Sequence, residues 1–194
     1  MTRWLDRLTL AALAVFLAGG QASAADEREA WAALAGGGHI ALIRHGNAPP
    51  GYGGDPPGFR FDDCKTQRNL DDKGRAQGKA LGEAFRNHGV RVDRTLSSPV
   101  CRCMDTASLM AVGTVESSWA LVPDRDPTNR ARLRELKEIV STWRGPGTLV
   151  LVSHGFTIEP LIGIVPDQAE VVVLKPTPGS ERGVTVVGRI PAPR

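Results

Sequence analysis

The chain has 194 residues, 41% of them hydrophobic and 23% charged, with a formal net charge of +3 at pH 7. That length suits one domain with a real core, and the charge is too small to argue for nucleic acid or a membrane surface as a partner. Of the three cysteines, Cys64, Cys101 and Cys103, the last two form a C-x-C pattern with no cysteine or histidine cluster beside it, a poor metal site.

Arg3 and Arg7 precede an apolar run over 8–17, which Gly19 and Gly20 break before the small-residue triplet Ala22, Ser23, Ala24. This order reads as a secretory signal peptide over 1–24. Its apolar run is too short to span a bilayer comfortably. The expectation is a single domain over 25–194, periplasmic or secreted, with no stable membrane insertion after cleavage. The sequence sets no oligomeric state.

Residues 27–35 predict a short helix, stopped by three glycines. "HIALIRH" at 39–45 is a strand. Residues 47–63, with four prolines, are a long loop leaving its end, either a functional lid or a disordered insertion. Asp71 or Asp72 caps a following helix, in which Ala76, Ala80, Ala84 and Phe85 form a small-residue stripe. Gly78 and Gly82 inside it suggest close packing on a sheet. "VRVDRTLSS" is a strand. Ser98 and Pro99 read as the cap and first residue of a helix reaching about Ala111. Residues 128–143 form another helix, with Leu133, Leu136, Ile139 and Val140 on one face. "TLVLVSHG" is uniformly apolar, as a central strand is. A helical stretch near 158–164 and the strands "EVVVLKP" and "GVTVVGRI" complete the chain. Strands alternating with helices predict an α/β fold, a three-layer α/β/α sandwich around a central, mostly parallel sheet.

Two strands end alike, in Arg44-His45-Gly46 and in Ser153-His154-Gly155. Ligands in open α/β sheets sit outside the carboxyl ends of strands, so both histidines are candidates for one pocket. Arg102 falls in the first turns of the helix that follows "SSP". Helix starts favour anions, and a guanidinium adds forked, charge-assisted hydrogen bonds. Two imidazoles, two guanidiniums and a helix terminus suit a phosphate. They suit a metal badly, because arginines beside the ligands repel the ion, so no metal and no cofactor are expected.

The motifs "RHG" (44–46), "RNLDDKGRAQG" (68–78), "SSPVCRCMDTA" (97–107) and "VSHG" (152–155), in this order, resemble the histidine phosphatase (phosphoglycerate mutase-like) superfamily. Within it the chain is similar to the small exported branch that includes lipopolysaccharide core heptose phosphate phosphatases. The resemblance implies hydrolysis of a phosphomonoester through a phosphohistidine at His45. Arg44, Arg102 and His154 would hold the phosphoryl oxygens, Asn47 and the Gly155 N–H would add neutral donors, and Arg68 would be a further phosphate or substrate arginine. The partner implied is a small phosphorylated substrate or a phosphorylated glycolipid. The alternatives are a phosphohistidine-type phosphatase and a non-enzymatic sugar-phosphate-binding module. Many members carry a general acid, some as an Asp after the second histidine. Gly155 stands there instead, which leaves Asp126 as first candidate, with Asp124, Glu116, Glu159 and Glu170 behind it.

One cysteine pair is expected to bond in an oxidising compartment. If Pro99 opens the helix, Cys103, Ala107 and Met110 form a core-facing stripe and Cys101 lies about 200° away around the axis. Cys64–Cys101 is then the expected disulfide, with Cys103 a buried thiol. Cys64–Cys103 stays open, because helix starts are uncertain by a residue or two.

Overall fold

The computed structural model describes residues 18–49, 54–124 and 130–193. Six strands form one sheet in the order β3-β2-β4-β1-β5-β6. They are β1 (Ile40–Arg44), β2 (Val92–Ser97), β3 (Val115–Ser117), β4 (Thr148–Ser153), β5 (Val171–Pro176) and β6 (Val184–Ile190). The first four in that order run parallel, and β5 and β6 each run antiparallel to the strand before them. The helices are α1 (Ala18–Gly36), α2 (Asp72–Asn87), α3 (Cys101–Met110), α4 (Ala131–Thr142) and α5 (Gly155–Ile162).

Strand periodicity divides the core. Ala41, Ile43, Val150, Val152, Val171 and Val173 face α1, α2 and α3, while Ile40, Leu42, Leu149, Leu151, Val172 and Leu174 face α4 and α5. Successive side chains on a strand point to opposite faces, so strands apolar throughout bury both faces and require helices on each side. That gives the expected three-layer α/β/α sandwich.

Several local readings change. α1 starts well before residue 27 and spans the expected cleavage point after Ala24. The helix after "SSP" starts two residues later than Pro99, with Val100 at its cap position and no side-chain cap. Ser98 instead faces the second histidine, as described below. β3, an edge strand of three residues, has too short a pattern to read from sequence.

In α2 the cap is Asp71, whose carboxylate accepts from the Gly74 N–H. The buried face is not the alanine stripe. Gly74, Gln77, Gly78, Leu81, Gly82 and Phe85 are buried, and Ala76 is exposed. The two interior glycines face α3 rather than the sheet. A Cβ on Gly78 would lie 3.0 Å from the Leu109 Cβ, and one on Gly82 would overlap the Met110 carbonyl. Helix α2 is thus set by how near α3 comes.

Candidate active site

β1 and β4 are adjacent, parallel and in a register that sets Arg44 opposite Ser153. Each strand therefore releases its histidine at the same height. The His45 N–H donates to the Ser153 carbonyl at 3.0 Å, and the His45 and His154 rings lie 5.5 Å apart between centroids. Both are buried, at 2% and 4% exposure. Beneath them, Ala169 takes a left-handed φ of 64° and donates its N–H to both the Arg44 and His45 carbonyls.

The two strand ends open into a cavity of about 410 Å³. It is lined by Arg44, His45, Asp55, Arg68, Arg102, His154 and Gly155, with Gly54, Pro123, Phe156 and Val165 around them. Three arginines from three parts of the chain converge there. Arg44 Nη1 donates to the Pro166 carbonyl at 2.8 Å, and Arg68 Nη1 donates to that of Ala48 at 2.7 Å. The Nε–H groups of Arg44, Arg68 and Arg102 are buried with no hydrogen-bond partner among the described residues. Buried donors of this kind are costly unless satisfied, and an oxyanion would satisfy them.

His45 Nδ1 lies 2.8 Å from the Gly46 carbonyl oxygen. A carbonyl only accepts, so Nδ1 carries the proton and Nε2 keeps its lone pair. Burial, and then the positive charges of Arg102, Arg68 and Arg44, lower the His45 pKa to about 3, against a favourable contribution from the Gly46 carbonyl. The imidazole is therefore neutral at ordinary pH. His154 is also held well below its usual range, by burial first and then by Arg102 and His45. Its Nδ1 lies 3.3 Å from Arg102 Nη2 and its Nε2 2.9 Å from Ser98 Oγ. Arginine only donates, so Nδ1 accepts and Nε2–H donates to Ser98.

Two glycines let the loop after β1 lie against α2. A Cβ on Gly46 would lie 2.7 Å from the Gly74 carbonyl oxygen, and one on Gly74 would overlap the Asn47 carbonyl. Asn47, expected as a phosphate donor, is committed elsewhere. Its Nδ2 donates to Asp71 at 2.6 Å and its N–H to Gln77 Oε1 at 2.8 Å. It ties the β1 loop to the start of α2 and does not line the cavity. Gly155 does line it, as the first residue of α5.

Cys64 is bonded to Cys101, and Cys103 is a buried free thiol whose pKa burial pushes up to about 12. Beside the disulfide, the buried Gln67 spans loop and helix. Its Oε1 accepts from the Cys101 N–H at 2.8 Å, and its Nε2 donates to the Arg60 carbonyl at 2.8 Å. An edge-to-face chain of Phe59, Phe61 and Trp119 holds the same loop from the other side.

Of the acid candidates, Asp126 lies outside the described residues. The other four are not in the cavity. Glu116 pairs with Arg94 at the sheet edge, and Glu170 pairs with Arg189. Asp124 and Glu159 line a second, neighbouring cavity. The carboxylate that is present, Asp55, was not among the candidates. It bonds Arg102 Nη1 at 2.7 Å and accepts from the Arg68 N–H at 3.1 Å. Nothing periodic marks it. The available signal was an acidic residue in a Gly/Pro-rich loop leaving the strand that ends in His45.

Residues 40–123 match the family model of the histidine phosphatase superfamily (branch 1). That segment carries Arg44, His45, Arg68 and Arg102. None of the curated proteins matches the chain in sequence. The fold is shared with the protein histidine phosphatase SixA complexed with tungstate: TM-score 0.56, 16% identity, 79% of this chain and 96% of that one. A SixA from Agrobacterium tumefaciens gives TM-score 0.56 and 19% identity over 81% and 99% of the two chains. A phosphoserine phosphatase mutant from Entamoeba histolytica, in complex with phosphoserine, gives 0.53 and 14% over 78% and 95%. The family match over residues 40–123 and the shared fold make the chain similar to the histidine phosphatases.

Proposed function

We propose that this protein is an exported phosphatase that hydrolyses a phosphomonoester through a phosphohistidine on His45. The observation that carries this reading is the His45 hydrogen bond to the Gly46 carbonyl. It fixes the tautomer, so a buried neutral imidazole holds its Nε2 lone pair at a cavity ringed by three guanidiniums. In-line attack by Nε2 on phosphorus needs that lone pair. Arg44, Arg68 and Arg102 neutralise the phosphoryl oxygens and the charge spread over them in the transition state. A phosphate dianion beside His154 favours its charged form, which supplies one more donor. Binding of tungstate, a tetrahedral oxyanion, by a protein of the same fold supports the anion assignment.

The substrate we favour is a sugar phosphate or a phosphorylated envelope glycolipid. The signal-like N-terminus supports that compartment. A cavity of about 450 Å³ adjoins the phosphate cavity, sharing Pro123 and Phe156 with it. Val122, Leu133 and Pro160 add apolar lining, and Phe156 is 77% exposed. Such a surface suits an apolar part of a substrate.

The test is turnover of an aryl phosphate with rapid acid and base quenching. The expected result is hydrolysis together with a phosphoenzyme that is acid-labile and base-stable. Phosphate binding without turnover of any phosphomonoester would favour a binding module instead. A screen of sugar phosphates and phosphorylated envelope glycolipids then identifies the substrate.

A further inference from the structure

The reaction proposed above needs a proton for the leaving oxygen and a base for the attacking water, and none of the described acid candidates from the sequence lines the phosphate cavity. We propose that Asp55 is the general acid and base of this site. The inference rests on the phosphatase reading and adds to it the residue that moves the proton.

The observations are geometric. Asp55 lines the same cavity as His45, His154 and the three arginines. Its carboxylate holds Arg102 at 2.7 and 3.3 Å through two separate oxygens. The same Arg102 Nη2 also reaches His154. The Arg68 N–H fixes Asp55 from behind, through Oδ1. The two histidines are buried at the cavity floor, while the Asp55 side chain is 21% exposed. In-line attack sends the leaving oxygen away from the buried His45 imidazole, and Asp55 is a carboxylate of the same cavity that is more exposed than either histidine.

Its partner in the free enzyme explains how it gains a proton. Without substrate, the carboxylate pairs with Arg102. A phosphoryl group draws that guanidinium onto its own oxygens and places negative charge beside Asp55. A lost cation and a new anion both favour the neutral carboxyl group. The proton arrives with the substrate, since a phosphomonoester keeps its second proton up to a pKa of about 6.

The steps then balance. The His45 Nε2 lone pair forms the N–P bond, the P–O bond breaks with its pair going to the leaving oxygen, and Asp55 gives that oxygen its proton, releasing the alcohol. Asp55, again a carboxylate, takes a proton from water as the water oxygen bonds phosphorus. The N–P bond breaks, its pair returns to Nε2, and Asp55 passes its proton to the departing phosphate, which leaves as the monoanion while the carboxylate returns to Arg102.

The test is a series of substituted phenyl phosphates, from 4-nitrophenyl phosphate to phenyl phosphate, with kcat/KM reporting the step that forms the phosphoenzyme. In the wild type the dependence on leaving-group basicity should be shallow. In Asp55→Asn it should be steep, with phenyl phosphate losing about 10²-fold or more and 4-nitrophenyl phosphate far less. Asp55→Glu should restore part of the shallow slope, and the unfolding midpoint of each variant shows that the fold is kept. A parallel loss across the series would mean that Asp55 only positions Arg102 and would overturn the proposal. So would a gain across the series, the mark of a carboxylate that merely competes with phosphate. Steepening in Asp124→Asn but not in Asp55→Asn would move the role to the neighbouring cavity. Wild-type turnover of the nitrophenyl ester keeps the phosphatase reading separate from all these outcomes.

Discussion

The active site has two halves built by different means. His45 and His154 leave adjacent parallel strands at matched register, and the backbone hydrogen bonds of the sheet set their separation. Asp55 and Arg68 come from a loop with no strand or long helix among its described residues, and a disulfide, one buried glutamine and an aromatic chain hold it down. The strand half keeps its geometry as long as the core stays folded. The loop half depends on a few long-range attachments, so it is where position can be lost without unfolding. The two histidines sit at the strand ends, and Asp55, the carboxylate paired with Arg102, sits on the loop.

The largest effect should come from the strand half. His45→Ala should lower kcat by about 10⁴-fold or more and abolish the trapped phosphoenzyme, while thermal unfolding stays cooperative. Turnover at the wild-type rate by this variant would refute nucleophilic catalysis from β1.

The disulfide separates the halves most directly. It closes a sequence separation of 37 residues, so loop entropy gives about 3–4 kcal/mol of stabilisation. Denaturant unfolding before and after reduction, or of Cys64→Ser/Cys101→Ser, measures it. Activity should fall beyond the loss of folded protein, because Asp55 and Arg68 lose their tether. An unchanged kcat/KM per folded molecule would show that Gln67 and the aromatic chain hold the loop alone.

Acid should act on the strand half. The folded His45 pKa of about 3 lies below the ordinary value of 6.5. Between those values the unfolded chain binds a proton that the folded chain does not, so stability falls as pH is lowered. The slope is about 1.4 kcal/mol per pH unit for one such group, and His154 acts in the same direction. Urea unfolding at pH 6 and pH 5 checks this, with a smaller slope expected for His45→Asn. Equal stability at both pH values would mean that the imidazoles are already charged in the fold.

The smallest effect should follow chelation. Among the described residues no three His, Cys, Asp or Glu side chains group as metal ligands, and guanidiniums surround the phosphate cavity. EDTA should leave kcat within about twofold of the untreated enzyme, a negligible free-energy change. Loss of activity restored by zinc or magnesium would contradict the arginine-only account.

Local pattern determined much of this molecule. The apolar runs of β1 and β4, with Arg44-His45 and Ser153-His154 at their ends, specify buried parallel strands that deliver two histidines to one side. The Cys103, Ala107, Met110 stripe specifies which face of α3 enters the core. These features are legible because period 2 and period 3.6 are properties of a short segment. What the tertiary structure decided has no period. Asn47 turns to Asp71 because α2 packs on the β1 loop at Gly46 and Gly74. Ser98 meets His154 instead of capping α3 because β2 and β4 pair. Asp55 reaches Arg102 where Cys64 and Gln67 tie the segment that follows it to α3. Each of these polar side chains had several partners open to it in sequence, and the closing of distant segments chose one, since a buried polar group must take whatever partner the fold brings within reach.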